Sequence, residues 1–427
     1  MMRSDEQNLA KVDSREGVDR LNGQFYGRFP YPWRPESFHF PVDPTLAGKM
    51  LAQDLGDFAH NRPPPRRIWV AGCGTNQAIF LALHYPEAQV TGSDLSVTSL
   101  DLCARTAKAM GLGNLELKRE TILDAPYREA FDLVVCTGVI HHTGDPPGAL
   151  AKLGAALKQD GAMELMVYNR FHRILTSAVQ KAIQLLSGGA KKADIETEIA
   201  LANELVQSFP AGSLTAQFLA QMKGRPEAMV ADTLVQPVEF SYTVESLAAM
   251  AHDCGLEIVA PCPNNHDKAA GRFSWNMAWS SPKLRARYEA LPDLERWQVT
   301  NLLMAEASPM LWFYLQRHDS RFPRRTERQT NDAFLGARFR KTNALQNYYA
   351  AQGDGGYAVS SRQVPYSATR RDAVIGRLFD RVDESRTIGE FLQEIGVQQP
   401  ATVAGQARLQ LATSGFPFLE AVQSDWI

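Results

Sequence analysis

The sequence predicts an α/β fold in which a doubly wound, mostly parallel sheet carries helices on both faces. Its clearest element is segment 67–83, RIWVAGCGTNQAIFLAL, which runs from an apolar strand through a glycine turn into an apolar helix. Further short apolar segments alternate with stretches of helical periodicity, which is typical of parallel strands joined by right-handed crossovers. The later strands are predicted at 90–94, 115–119, 131–136 and 161–169, with helices at 96–110 and 145–158.

The glycine turn predicts a ligand site at the carboxyl edge of this sheet. Glycine lets a backbone turn sharply and approach a ligand, and the following helix directs free N–H groups at it. A dinucleotide site would need a third glycine where Gln77 stands, and no Gly-Lys-Ser/Thr follows. Asp94, 22 residues after Gly72, ends the predicted second strand. Its carboxylate can accept hydrogen bonds from ribose hydroxyls, although the sequence SDLS also suits a helix N-cap.

Several motifs together resemble the class I S-adenosylmethionine-dependent methyltransferases over roughly residues 65–280. They are VAGCGT, SDLS, YREAFDLVVCTGVIHHTGDP and LKQDGAMELMVYN. The lead-in FYGRFPYPWRP also resembles that of some bacterial members. The resemblance implies a Rossmann-like sheet of seven strands and S-adenosylmethionine as cofactor.

The same resemblance implies which residues bind the cofactor. The glycine turn would lie against its amino-acid part, Asp94 would bind the ribose, and Leu95 would pack on the adenine. Thr121 and Ile122 would meet the adenine edge, with Thr137 and Gly138 below the methionine part. The full set is Gly72, Cys73, Gly74, Thr75, Asn76, Gln77, Asp94, Leu95, Thr121, Ile122, Thr137 and Gly138.

Two positions depart from the family pattern. Val70 stands where an acidic residue is usual, and Asn76 stands where another glycine is usual. The ammonium group of the cofactor therefore lacks its common carboxylate partner. Backbone carbonyls, Asn76, Gln77 or an N-terminal residue would have to accept its hydrogen bonds.

His141 and His142 are the candidates for a catalytic base. They follow the fourth predicted strand, where ligand-facing loops collect, and histidine can accept a proton near neutral pH. The alternative is that the pair only shapes the loop and the pocket. No metal is expected, because the two histidines are adjacent and no third ligand has suitable spacing. Tyr168 and His172 are further candidate bases near the fifth strand.

Two segments outside the sheet are expected to shape the substrate site. Residues 1–45 form an arm rich in proline and aromatic residues, which is either a lid over the cofactor or a strap across the sheet domain. Residues 171–240 predict a helical cap on the substrate side. Tyr26, Tyr31 and Tyr168 are the predicted lid and substrate contacts.

Residues 242–262 predict a helix that starts at Thr243 and stops at Gly255, followed by a strand. Residues 272–279 predict the strand that completes a final pair. Residues 283–318 predict further helix, interrupted by Pro309.

The chain therefore divides into the arm, a cofactor-binding domain at 46–282, a helical connector at 283–329 and a C-terminal module at 330–427. The module resembles a small winged-helix domain. It has charges of both signs and no basic stripe, so a protein contact, including a homodimer, is favoured over nucleic acid.

Composition limits the remaining possibilities. The chain has 45 basic and 47 acidic residues and a net charge of -2, which gives no argument for nucleic acid or a membrane surface as partner. Five scattered cysteines suggest a reducing cytosol, and neither a signal sequence nor a spanning segment is expected.

The favoured function is methyl transfer to a small-molecule nucleophile, as in O-methylation of a secondary metabolite, by in-line displacement. Methylation of a peptide or protein that docks on the C-terminal module is the second hypothesis. A non-catalytic cofactor-binding scaffold is the third. The cofactor carries the electrophilic methyl group, so the absence of a clear catalytic dyad does not exclude catalysis.

Overall fold

The N-terminal part of the chain folds into a helix and a strand that lie against the rest of the molecule. The computed structural model describes residues 15–32, 35–189, 194–353, 356–359, 362–368 and 371–422. Helix α1 (Arg15–Arg28) ends before Pro30, and strand β1 (Ser37–Pro41) and helix α2 (Leu46–Asp54) follow. The prolines thus limit the helix to the part of the arm that precedes them.

Seven strands form the central sheet. They are β2 (Arg67–Ala71), β3 (Gln89–Asp94), β4 (Leu115–Arg119), β5 (Phe131–Thr137), β6 (Leu157–Val167), β7 (Leu256–Pro261) and β8 (Leu311–Arg317). Their order is β4-β3-β2-β5-β6-β8-β7. The neighbours from β4 to β6 are parallel, whereas β8 is antiparallel to both β6 and β7. The predicted seven-stranded, mostly parallel sheet is confirmed.

Helices cover both faces of this sheet, as a doubly wound fold requires. The first three are α3 (Gln77–His84), α4 (Val97–Ala109) and α5 (Pro146–Ala156). Along β2, Ile68 and Val70 pack with α3 and α4 on one face, whereas Trp69 and Ala71 pack with α5 on the other. The alternation of side chains in a strand therefore divides the buried residues between two cores.

The insertion between β6 and β7 is helical, as predicted. Its helices are α6 (Ile174–Leu186), α7 (Ile195–Ser208), α8 (Leu214–Ala220) and α9 (Glu227–Leu234). Their apolar side chains form one cluster with Phe25 of α1 and with Phe29, which directly follows that helix. The cap and the arm therefore share a core.

The helix and the strand predicted at 242–262 are confirmed. Helix α10 (Val244–Asp253) begins with a capping box, in which Thr243 and Ser246 satisfy each other's backbone N–H groups. Gly255 follows it with φ of 72° and leads into β7.

The prediction of the final strand pair is wrong. Residues 272–279 contain no strand, and the partner of β7 is β8, inside the stretch predicted to be helical. Helices α11 (Asn265–Ala270), α12 (Pro282–Glu289) and α13 (Asp293–Met304) precede β8. Because β8 lies between two strands and is buried on both faces, its apolar run lacks the alternation that would identify a strand. Trp275 is buried against Phe313 of β8, so the aromatic residues of 272–279 mark a core contact.

The C-terminal region contains short helices and short antiparallel strands. The helices are α14 (Glu327–Gly336), α15 (Ala373–Arg381), α16 (Ile388–Glu394) and α17 (Ala401–Leu411). The strands are β9 (Phe339–Lys341), β10 (Leu345–Ala351), β11 (Tyr357–Val359), β12 (Val364–Pro365), β13 (Ala412–Thr413), β14 (Phe416–Pro417) and β15 (Leu419–Ala421). The winged-helix likeness of this region and a homodimer through it stay predictions.

The contacts that join this region to the rest of the chain include a strand pairing and a buried amide side chain. Strand β10 pairs with β1 of the arm along its length. The buried amide of Gln53 on α2 donates to the carbonyls of Ala412 and Leu419 at 3.0 and 3.1 Å, and it accepts from the N–H of Ala421 at 2.8 Å. The predicted division at residues 45 and 330 thus separates segments that are hydrogen-bonded to each other.

Among the described residues, no helix is both long and apolar enough to cross a membrane.

Candidate functional site

The glycine turn between β2 and α3 has no room for side chains at its two glycines. Gly72 and Gly74 have φ of 72° and 55°, a conformation that L-residues rarely adopt. A Cβ on Gly72 would lie 2.5 Å from a methyl group of Val139, and one on Gly74 would lie 2.6 Å from the carbonyl oxygen of Tyr31. Both positions therefore require glycine.

Asp94 closes this turn from the end of the neighbouring strand. Its Oδ2 accepts from the N–H of Gly74 and its Oδ1 from that of Ser96, both at 2.8 Å. Burial raises the pKa of the carboxyl, although these hydrogen bonds oppose the shift. The helix N-cap is Ser96, which accepts from the N–H of Ser99, so the capping alternative for Asp94 is wrong.

The other predicted cofactor residues follow the ends of adjacent strands. The amide of Gln77 donates to the hydroxyl of Thr137 at 2.5 Å and so ties α3 to the end of β5. Gly138 follows with φ of 78°. Thr121, after β4, caps the short helix Ile122–Asp124. The carboxyl ends of parallel strands meet at one edge of a sheet, so these residues border the same crevice.

The remaining members of the set differ in what they present to the crevice. Cys73 is buried in the core below the turn, so only its backbone faces outward. Thr75 and Asn76 are buried at the start of α3, and Leu95 is half-buried directly after Asp94.

Replacing Asp94 tests the cofactor edge. We expect Asp94→Ala to weaken binding of S-adenosylhomocysteine at least tenfold, because hydrogen bonds to charged groups contribute about 1.5–3 kcal/mol. Calorimetric titration measures the change. Asp101→Ala, which alters an exposed carboxylate on α4, is the matched control. Equal affinity of the Asp94 variant and this control would contradict the assignment.

The two predicted histidines lie in a short helix, Ile140–His142, directly after β5. Nδ1 of His142 lies 2.7 Å from the carbonyl oxygen of Val238, and its own carbonyl accepts from Asn22 of α1 at 2.6 Å. Burial lowers the pKa of His142 to about 4 and that of His141 well below its usual value. Both rings are therefore neutral at pH 7 and weak proton acceptors, so a role as catalytic base stays a prediction.

Tyr168 and Tyr26 bring the histidines, the arm and the cap together. The ring of Tyr168 lies 3.8 Å from that of His141 and 5.3 Å from that of His142, centroid to centroid. The hydroxyl of Tyr26 donates to Asp232 of α9 at 3.2 Å, and its ring lies 6.5 Å from that of His142. Burial and the nearby Asp232 raise the pKa of Tyr31 to about 12.

We call Tyr26, Tyr31, Tyr168, His141 and Asp232 the acceptor cluster. The carboxyl group of Asp232 is buried. Burial raises its pKa to about 6, although the positive charge of Arg173 acts to lower it. Neither ring nitrogen of His141 has a hydrogen-bond partner among the described residues, although the side chain is fully buried. Unsatisfied polar atoms inside a protein are costly, and they fit a site that a ligand completes.

A buried ion pair borders the acceptor cluster. Arg173 forms two hydrogen bonds with Glu239, at 2.7 and 2.5 Å, and its guanidinium lies 4.2 Å from the centre of the Tyr168 ring. Sequence reasoning named neither of these residues, nor Asp232. The only signal was a single acidic residue, Glu239, in the otherwise uncharged run LVQPVEFSY.

Two further features lie outside the site. His172 is bound to the carbonyl of Ser308 at 3.0 Å, a structural contact. A surface cavity of about 310 Å³ is lined by Asp132 and Lys158, at the start of β5 and β6, so it opens at the opposite edge of the sheet.

No group of three or more metal-binding side chains lies close enough to share an ion within the described part of the chain.

Comparison with known proteins agrees with this geometry. Residues 69–163 match the family model of a methyltransferase domain. An uncharacterized Synechococcus protein is 25% identical over 307 residues, which is 70% of this chain and 72% of that one. A ubiquinone biosynthesis O-methyltransferase of Actinobacillus pleuropneumoniae is 29% identical over 111 residues, 25% of this chain and 47% of that one.

The fold is also shared along most of the chain. PKMT2 from Rickettsia typhi superposes with a TM-score of 0.58 at 13% identity, covering 92% of this chain and 77% of that one. The same protein in complex with AdoHcy gives a TM-score of 0.56.

The fold and the matched domain define a Rossmann-like methyltransferase. Residues 69–163 are thus a methyltransferase domain, with S-adenosylmethionine as its cofactor and the fold of the class I enzymes.

Proposed function

We propose that the protein methylates an amine nitrogen, such as that of a lysine side chain in a polypeptide, held in the acceptor cluster. The observation that carries the proposal is a buried carboxylate, Asp232, placed among tyrosine rings. Aromatic faces and a desolvated carboxylate both attract a cation. This choice corresponds to the second hypothesis from the sequence, a peptide or protein acceptor.

The charges around the acceptor cluster support a cationic acceptor. Arg173 forms its ion pair with Glu239, and Asp232 forms none within the described part of the chain, although the nearby Arg173 favours its charged form. With a pKa of about 6, Asp232 is mostly ionised at pH 7. Gln236 donates to the Tyr26 hydroxyl at 3.2 Å, so that hydroxyl is directed toward Asp232.

The rings of the acceptor cluster and its neighbour His142 pack against one another. The rings of His141, His142, Tyr168 and Tyr26 lie between 3.8 and 6.5 Å from a neighbour. Rings at these distances are already in contact, so the acceptor would lie at the edge of the cluster beside Asp232 and not between the rings.

The cofactor residues fit S-adenosylmethionine, because the turn excludes any Cβ and the Asp94 carboxylate, at the end of the next strand, would accept from the ribose hydroxyls. When bound, the cofactor supplies a methyl group on a cationic sulfur. The chain would orient the nitrogen, exclude water and accept the ammonium proton at Asp232 before attack. Much of the rate would come from orientation, which contributes up to ~7–11 kcal/mol in favourable systems.

Methylation of a phenolic oxygen on a small molecule, the first hypothesis from the sequence, is the second candidate. The O-methyltransferase relative favours it, but its match is confined to a quarter of this chain. A phenol, like an ammonium, must lose a proton before attack; with a pKa of about 4 His142 is a weak base, so Asp232 would accept the proton in either case. The domain match favours an enzyme over the third hypothesis, a non-catalytic scaffold.

An acceptor panel separates these candidates. Release of S-adenosylhomocysteine is measured with lysine-containing peptides, with propylamine, and with catechol. We expect turnover with amines and a loss of at least tenfold in kcat/KM in Asp232→Asn. The control Glu227→Gln makes the same chemical change on the exposed side of α9 and should keep full activity. Turnover of catechol with none of the amines would overturn the proposal.

A further inference from the structure

The amino-acid end of S-adenosylmethionine carries both a carboxylate and an ammonium group. The N–H groups of the glycine turn are donors, so they can accept nothing from the ammonium. Strand β2 offers no acidic side chain to the ammonium. Val70 stands where an acidic residue is usual, and it is fully buried in the core. Asp94, whose oxygens accept the N–H groups of Gly74 and Ser96, is assigned to the ribose hydroxyls rather than to this end of the cofactor. The remaining acceptors are the carbonyls of the turn itself, the side chains of Asn76 and Gln77, and the backbone of the arm.

The arm places two backbone carbonyls directly on this turn. The carbonyl of Tyr31 accepts from the N–H of Thr75 at 3.3 Å, and the carbonyl of Pro32 accepts from the Thr75 hydroxyl at 2.5 Å. The Tyr31 oxygen also occupies the space that a Cβ on Gly74 would need. The arm thus contacts the turn through its main chain.

These carbonyls are held in place by the rest of the arm. Phe25 and Phe29 are buried in the core that α1 shares with the cap. Asn22 donates to the carbonyl of His142, and Tyr26 donates to Asp232. The arm therefore contacts the cofactor turn and the acceptor cluster at the same time.

We propose that the carbonyl of Pro32, anchored beside that of Tyr31, binds the ammonium group of the cofactor's amino-acid end. A carbonyl oxygen has two acceptor positions, so its bond to Thr75 orients it without excluding a second donor. The arm takes the place of an acidic side chain on the sheet. Recognition of this group then depends on the arm being seated on the turn.

The test compares two ligands that differ by one group. S-adenosylhomocysteine has the ammonium, and 5′-(3-carboxypropylthio)-5′-deoxyadenosine is the same molecule without it. We expect calorimetry of the native protein to show at least tenfold tighter binding of the former, the range for a charge-assisted hydrogen bond. In Thr75→Val this preference should fall to about threefold or less, with binding of the second ligand unchanged.

Thr75→Ser keeps the hydroxyl and should keep the full preference. An unchanged preference in Thr75→Val, or equal weakening of both ligands, would overturn the proposal. If Thr75→Val does not fold, hydrogen exchange of the native protein with each of the two ligands tests the proposal instead. S-adenosylhomocysteine should slow exchange in residues 15–32 and the ligand without the amino group should not, whereas equal protection by both would refute the assignment. These binding readouts hold whatever the methyl acceptor is.

Discussion

Arg173→Met is expected to lower the free energy of unfolding by about 3–5 kcal/mol, because removing one partner of a buried ion pair leaves the other charge uncompensated. The side chains of Arg173 and Glu239 are 14% and 3% exposed, so solvent cannot replace the lost partner. Methionine keeps most of the buried volume against Tyr168, so the cost reports the charge. Urea denaturation followed by circular dichroism measures it.

Two variants control this result. Arg28→Met breaks exposed ion pairs with Glu196 and Glu227 and should cost far less, because solvent already screens these charges. The double variant Arg173→Met/Glu239→Gln removes both buried charges and should recover most of the loss. A cost for Arg173→Met as small as that for Arg28→Met would show that the pair is not buried in solution.

Glu164→Gln is expected to stabilise the protein at pH 8 relative to the native chain, by roughly 2–3 kcal/mol. Burial raises the pKa of Glu164 to about 7, against the opposing effect of its hydrogen bond from Trp312 at 2.9 Å. Burial likewise raises the pKa of Asp54 to about 6, although Ser414 and Tyr314 both donate to it. The folded state therefore binds these protons more tightly than the unfolded chain does.

The direction of the pH dependence follows from these raised pKa values. The stability contributed by the protonated acids is complete below about pH 4 and is lost as the pH rises through 6 and 7. The advantage of Glu164→Gln should thus appear between pH 5 and 8 and be near zero at pH 4. Urea midpoints across this range measure it, with the exposed Glu116→Gln as control. A constant difference at every pH would contradict the raised pKa.

The parts of the site that the sequence predicts are those formed by residues close together in the chain. Gly72, Gly74 and Asp94 belong to one strand–helix–strand unit, where each residue type has a local backbone or hydrogen-bonding reason. Asp232, Arg173 and Glu239 come together only when the cap folds onto the arm, and no local pattern marks them. The carbonyl of Pro32 has no side-chain signature at all.

The fold shows the same division. Parallel strands separated by helices are recognisable because each unit carries its own periodicity and caps, as Thr243 and Gly255 do. Strand β8 was missed because it is buried on both faces, which removes the alternation that identifies a strand. Which strands lie beside β8 depends on packing between residues that are far apart in the sequence.

The pairing of β1 with β10 has a consequence for how the protein matures. Strand β1 ends at Pro41 and its partner begins at Leu345, about 300 residues later in synthesis. During translation the nascent arm has no strand partner until most of the polypeptide has left the ribosome, even though the parallel sheet can already assemble. The β1–β10 pairing is therefore among the last parts of the fold to form, after the first strands of the central sheet have been synthesised.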